Sequence, residues 1–240
     1  MRRTLLPAGG ILLPAITFVM VCGHASAEPA KPASQLKWES AVAKKLKENA
    51  PPAGSIICIG SSHLANWKTV ESDLAPLKIC NLAIGGSRMK HAAELFIPKL
   101  VLPFKPRAVI FYEGSNDLAA DLAPEEVVRD FESVCGQLHE ALPETRLYVL
   151  GIVPSPGKRF ERWEAIHETN ALLKSACASR PWSTFLDTTS KLLDSKGKPR
   201  QECFIPGDIH MTEAGYQAWA SVVAPVVVAA EQKFESQPRP

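Results

Sequence analysis

Short apolar runs alternate with helical stretches along nearly the whole chain, and this alternation limits the fold more than any other feature. The runs are Ser55–Ile59, Leu77–Asn81, Pro106–Tyr112, Arg146–Val153 and Trp182–Leu186. The first is apolar and β-branched without polar alternation, the pattern of a parallel strand buried on both faces. Helical stretches separate the runs: Met89 to about Leu100, Pro124 to about Ala141, and Lys158 to Ala178. Another helix precedes them at Ser34 to about Asn49, and a last one follows Thr212 and reaches about Phe234. Strand and helix in alternation imply a parallel sheet with helices on both faces. The expectation is a three-layer α/β/α sandwich around a five-stranded parallel sheet, within one domain over residues 55–234. Residues 28–54 form a Pro/Ala-rich lead and the first helix.

The beginning of the chain has the character of an export signal. Arg2 and Arg3 are followed by an apolar stretch from Ile11 to Cys22, and Ala25-Ser26-Ala27 is an A-x-A cleavage site. The apolar stretch is short and interrupted by Pro14, so it suits a signal over residues 1–27 better than a membrane anchor. Removing those residues takes away two arginines and no acid. The remainder then carries 25 basic and 25 acidic side chains, without a basic stripe, which argues against a nucleic-acid partner. Cys58, Cys80, Cys135, Cys177 and Cys203 remain. They are odd in number, irregularly spaced and free of any C-x-x-C pair, so neither a disulfide framework nor a zinc site is indicated.

The chemistry-bearing residues sit just after strands. Gly60 breaks the first strand, and Ser61 and Ser62 open a helical stretch. In open α/β sheets ligands bind outside the carboxyl ends of the strands. Ser62 is there either as a nucleophile or as a helix cap. The second strand runs into Gly85-Gly86-Ser87, a flexible pair that permits close approach to a ligand or makes an ordinary turn. The third runs into Gly114-Ser115-Asn116-Asp117, where Asn116 is an amide donor or a turn residue. His210 lies before the last helix and titrates near neutrality in its unperturbed state. Together these supply a hydroxyl, a base and donors for an oxyanion. No G-x-S-x-G elbow occurs.

In these four blocks the chain resembles the SGNH, or GDSL-type, hydrolases. The blocks are Gly60-Ser61-Ser62, Asn81 through Gly86, Gly114 through Asp117, and Asp208-Ile209-His210 followed by Met211 through Tyr216. The resemblance spans about residues 55–230. It implies a flavodoxin-like sheet and a serine esterase or lipase with no metal and no organic cofactor. It assigns Ser62 as nucleophile and His210 as base. The N–H of Ser62, the N–H of Gly86 and the amide of Asn116 would form the oxyanion hole. The substrate would be a small-molecule, glycan or lipid ester; oligomeric state is not legible.

One block departs from the pattern. The family's last block reads Asp-x-x-His, but Gly207 stands three residues before His210 and the acid is Asp208, two before. In an extended chain alternate side chains point apart from their neighbours. Pro206-Gly207 can bend the loop so that Asp208 reaches the imidazole; otherwise a backbone carbonyl holds it, and the chain would be a weakened relative that binds a glycan or lipid in the same cleft. Elsewhere, His63 reads as a rim residue, and His91, His139 and His167 as solvent-facing. Trp67, Trp163 and Trp219 read as core, Asp117 as a cap, and Arg107 as solvated charge.

Overall fold

A computed structural model describes residues 33–235. The segment read as an export signal lies outside the described residues. All five expected strands form: β1 (Ile56–Gly60), β2 (Ile79–Asn81), β3 (Ala108–Tyr112), β4 (Arg146–Leu150) and β5 (Ser183–Leu186). They build one sheet in the order β2-β1-β3-β4-β5, every pair parallel. The order reverses between β1 and β3. A crevice opens at the carboxyl ends of the strands at such a switch point.

Strand ends differ from the apolar runs for a physical reason. The run stays buried from Leu147 to Val153, but the ladder stops at Leu150. Beyond it Ile152 N–H donates to Asn170 Oδ1 at 2.8 Å and Val153 N–H to the Tyr112 hydroxyl at 3.4 Å. Side chains replace the neighbouring strand, so hydrophobicity alone overstates the strand's length.

Helices cover both faces. On one side lie α1 (Ala33–Glu48), the α4 segment, α6 (Pro124–Ala141) and α7 (Trp163–Ala178). The α4 segment starts as a single α-turn, Met89–His91, and widens into a π-helix, Ala92–Val101, that contains Pro98. Proline has no N–H for the usual i→i−4 bond, and a wider helix accommodates that loss. On the other side lie the one-turn helices α2 (Ser62–Ala65) and α3 (Val70–Asp73), with α8 (Glu213–Glu231). α5 (Ser115–Leu118) follows β3 directly. The stretch expected to be helical from Lys158 begins as a 3₁₀ turn, Gly157–Arg162.

Strand side chains alternate between the two cores. Ile57, Ile59, Val109, Phe111, Leu147 and Val149 face one layer, while Ile56, Cys58, Ile110, Tyr112, Tyr148 and Leu150 face the other. This two-sided burial is what the apolar runs encode. Trp67 and Trp219 are core residues, but Trp163 is only partly buried. His139 and His167 are exposed as expected; His91 is half-buried because its ring packs on Trp38, with centroids 4.2 Å apart. The five described cysteines are buried free thiols.

Arg107 is a correction: it is not a solvated charge. Its side chain is 13% exposed and pairs with Glu231 and Glu235. Glu231, at the end of α8, is fully buried. It also pairs with Arg146 and accepts from the Tyr148 hydroxyl at 2.8 Å. The network ties α8 to β4 and to the start of β3. Removing one member of a buried ion pair strands its partners without compensation. Glu231→Ala is therefore expected to lower stability by about 3 kcal/mol in denaturant titration. The site at the opposite ends of the strands should be unaffected, with steady-state kinetics below the unfolding transition unchanged.

Candidate active site

Gly60 sets the geometry at the end of β1. A Cβ built there would lie 2.0 Å from the backbone oxygen of Tyr112, so only glycine fits. Ser61 N–H then donates to that same oxygen at 3.0 Å, and α2 starts at once. Ser62 becomes the first residue of that helix, where an N–H has no partner within the helix. Its hydroxyl is not used as a cap: position 61 is the N-cap, and no side-chain cap bond forms there.

Ser62 Oγ lies 3.0 Å from Nε2 of His210, and His210 Nδ1 lies 2.8 Å from Asp208 Oδ1. The Asp208 carboxylate accepts a hydrogen bond from Nδ1–H, which leaves Nε2 as acceptor for the Ser62 hydroxyl. Asp208 is thus within reach of the ring although it sits only two residues away. The loop is a tight reversal, not a strand: Phe204 pairs antiparallel with Met211, Ile205 N–H donates to His210 O, and Asp208 N–H to Ile205 O. Gly207 has φ +76°, which supplies the bend. Asp208 Oδ1 also accepts from the N–H groups of Ile209 and His210. These bonds, that of His210 foremost, hold the carboxyl below its usual pKa and keep it charged.

Gly85 and Gly86 form an exposed loop against the serine; a Cβ on Gly85 would stand 3.5 Å from Cβ of Ser62. Open space surrounds Gly86. Asn116 Nδ2 donates to Ser87 O at 2.8 Å, and its Oδ1 accepts from Arg159 Nη2 at 3.0 Å. The amide orientation is therefore fixed from both ends, and among the described residues its second N–H has no acceptor. Arg159 also donates to Ser115 O. Nothing in the sequence marked Arg159 for this place, because the 3₁₀ turn that carries it is remote in the chain. Asp117 acts as the expected cap: both its oxygens accept Met89 N–H at 3.1 Å. Burial raises its carboxyl to about 6. Among the described residues no group of three or more His, Cys, Asp and Glu side chains is placed to hold a metal ion.

His63 is the second correction. Its side chain is not at the rim; the residue is 1% exposed. The single turn of α2 directs it inward, under the His210 loop. Nε2 lies 3.0 Å from Ile209 O, and Nδ1 lies 3.3 Å from the Tyr112 hydroxyl. Ser155 Oγ donates to the same Ile209 oxygen at 2.9 Å. The ring thus anchors the backbone next to His210. Placement directly after Ser62, at a buried strand–helix junction, was the only sequence signal for this role.

Burial pushes the His63 pKa down from 6.5 to about 4. Between those two pH values the unfolded chain binds a proton that the folded chain does not, so stability falls as pH drops through the window. The loss attributable to this ring is at most roughly 3 kcal/mol. Melts recorded at pH 7 and pH 4.5 test it. His63→Gln keeps a donor for Ile209 O and should lose less stability across that interval than the wild type. Equal losses would assign the acid sensitivity elsewhere.

With the geometry in place, comparisons give the lineage. Residues 55–218 match the GDSL-like Lipase/Acylhydrolase family. The chain is 23% identical to the human platelet-activating factor acetylhydrolase IB subunit alpha1 over 164 residues, 67% of this chain and 70% of that protein. It shares its fold with a GDSL-like lipase from Bacteroides thetaiotaomicron, at TM-score 0.65 and 15% identity, covering 80% of this chain and 98% of that one. A carbohydrate esterase family 3 enzyme from Talaromyces cellulolyticus is also similar, at TM-score 0.56 and 15% identity, covering 75% and 98%. From the sheet topology and this family match together, the chain belongs to the GDSL-like lipase/acylhydrolase family and is a hydrolase of ester bonds.

Proposed function

We propose that the protein is an exported serine esterase that removes short acyl groups, acetyl foremost, from carbohydrate or lipid esters. The observation that carries the reading is the continuous Ser62–His210–Asp208 hydrogen-bond chain. In this reading Ser62 Oγ attacks the ester carbonyl carbon while His210 Nε2 takes its proton. The carbonyl oxygen becomes an oxyanion, met by the N–H groups of Ser62 and Gly86 and the free N–H of Asn116. The C–O bond to the alcohol breaks, and His210 returns the proton to the leaving oxygen. Water then attacks the acyl-serine, with His210 again as base, and releases the acid and free Ser62. Asp208 holds the imidazole tautomer and offsets its charge in both steps.

The substrate class is inferred from the surroundings of the serine. Gly85 and Gly86 are exposed and Ser62 is partly so, which favours a small acyl group over a long chain held in a tunnel. Relatives named as acetylhydrolase and carbohydrate esterase point the same way. The A-x-A site at Ala25–Ala27 supports action outside the cytoplasm. A binding-only role drew its support from the shifted acid, and the 2.8 Å contact of Asp208 with His210 removes that motive.

Labelling with a fluorophosphonate probe, followed by hydrolysis of p-nitrophenyl acetate and acetylated saccharides, tests the proposal. Ser62→Ala should abolish labelling and cut kcat by about 10⁴ to 10⁶. A folded Ser62→Ala protein with normal turnover would refute it. Asn116→Ala should lower kcat by about 10² to 10³ with little change in KM. Asp208→Asn should lower kcat by roughly 10⁴ through loss of tautomer control. An effect of only a few fold would transfer that task to a backbone carbonyl.

A further inference from the structure

Glu113 follows β3 directly, is 2% exposed, and takes no part in the Ser62–His210–Asp208 chain. Its Oε1 is in short contact with Ser87 Oγ. Ser87 Oγ also lies 2.9 Å from Ile84 O. A hydroxyl carries one hydrogen, and a backbone carbonyl can only accept. If Ser87 donates to Ile84 O, the hydrogen between Ser87 and Glu113 must come from the carboxyl of Glu113. The opposite assignment leaves two acceptor oxygens in contact at Ile84. It also leaves a buried carboxylate whose Oε2 has no hydrogen-bond partner.

We propose that Glu113 is a neutral carboxylic acid in the folded protein and serves as a positioning residue for the oxyanion hole. Through Ser87 it fixes the Gly85–Gly86–Ser87 loop. Ser87 links two donors of the hole: its backbone follows Gly86, and its carbonyl accepts from Asn116 Nδ2 at 2.8 Å. The surroundings agree. Among the described residues no cation pairs with Glu113. Burial raises its pKa well above the carboxylate range, and the nearby Asp117 carboxyl adds to this against the pull of Ser87 and the Gly114 N–H. Tyr112, the neighbouring titratable group on β3, is itself held neutral by burial. The roles given to Gly86 and Asn116 rest on the esterase reading; the protonation of Glu113 does not.

The test has two arms on the full protein. Infrared difference spectra at pH 7, wild type against Glu113→Gln, should show the carbonyl stretch of a protonated carboxylic acid in the wild type only. Kinetics should separate the donor from mere bulk. Glu113→Gln retains an N–H for Ser87 and should keep kcat within about threefold. Glu113→Leu removes the donor and should lower kcat by about 10²-fold, the scale of a misplaced catalytic geometry, with KM little changed. Absence of the band overturns the neutral acid. A drop of more than tenfold in Glu113→Gln, or normal kcat in Glu113→Leu, overturns the positioning role. Should Glu113→Leu fail to fold, the band and the Glu113→Gln kinetics still decide. Failure of Ser62 to react with the fluorophosphonate would instead count against the esterase reading and leave the band unchanged.

Discussion

The end of β1 passes so close to the end of β3 that no side chain fits between them. Gly60 lies against the backbone oxygen of Tyr112, and Ser61 N–H bonds to that oxygen. The contact closes the sheet at its switch point and turns the chain into α2 within one residue. Ser62 therefore emerges at the crevice, with the Gly85–Gly86 loop on one side and the residues after β3 on the other. Much of the site depends on this approach, because the nucleophile candidate and Asn116 are carried by the two strands it joins.

Around this junction each reactive side chain is held by a partner of its own. Asp208 accepts two backbone N–H groups in addition to the His210 ring, so it is fixed before it orients anything. His63 and Ser155 share Ile209 O and anchor the same loop from below. Arg159 and Ser87 O set the two ends of the Asn116 amide. Preorganised donors of this kind are worth more than mobile ones because no reorganisation is required as charge develops. The displaced acid of the last block is consequently a local variation in loop geometry, with the carboxylate returned to the ring by the turn at Gly207.

Opposite ends of the strands divide stability from chemistry. The buried Glu231 network lies at the amino ends of β3 and β4 and ties them to α8, whereas the polar constellation lies at the carboxyl ends. The interior between them is apolar on both faces. Two buried ionisable groups near the site, His63 and Glu113, are each driven by burial towards the neutral form. Both are engaged by hydrogen bonds, His63 with Ile209 O and Glu113 with Ser87.

The sequence alone determined the sheet and the rim on which the site lies. Runs such as Ile56–Ile59 and Ala108–Tyr112 are apolar without alternation, and only burial on both faces accommodates them. Gly60, Gly114 and the residues after them were legible as strand-end breaks, which brought Ser62 and Asn116 to the same edge. The exact strand ends were not legible, since Ile152 and Val153 stay buried beyond the ladder and satisfy their N–H groups with Asn170 and Tyr112 in place of a strand. Nor were the burial of His63, the reach of Arg159 to Asn116, or the pairing of Arg107. Each depends on a partner far away in the chain, and no local pattern encodes such a contact. The position of Asp208 was decided by tertiary structure for the same reason: whether a carboxylate two residues before His210 meets its ring depends on the turn that the surrounding loop adopts.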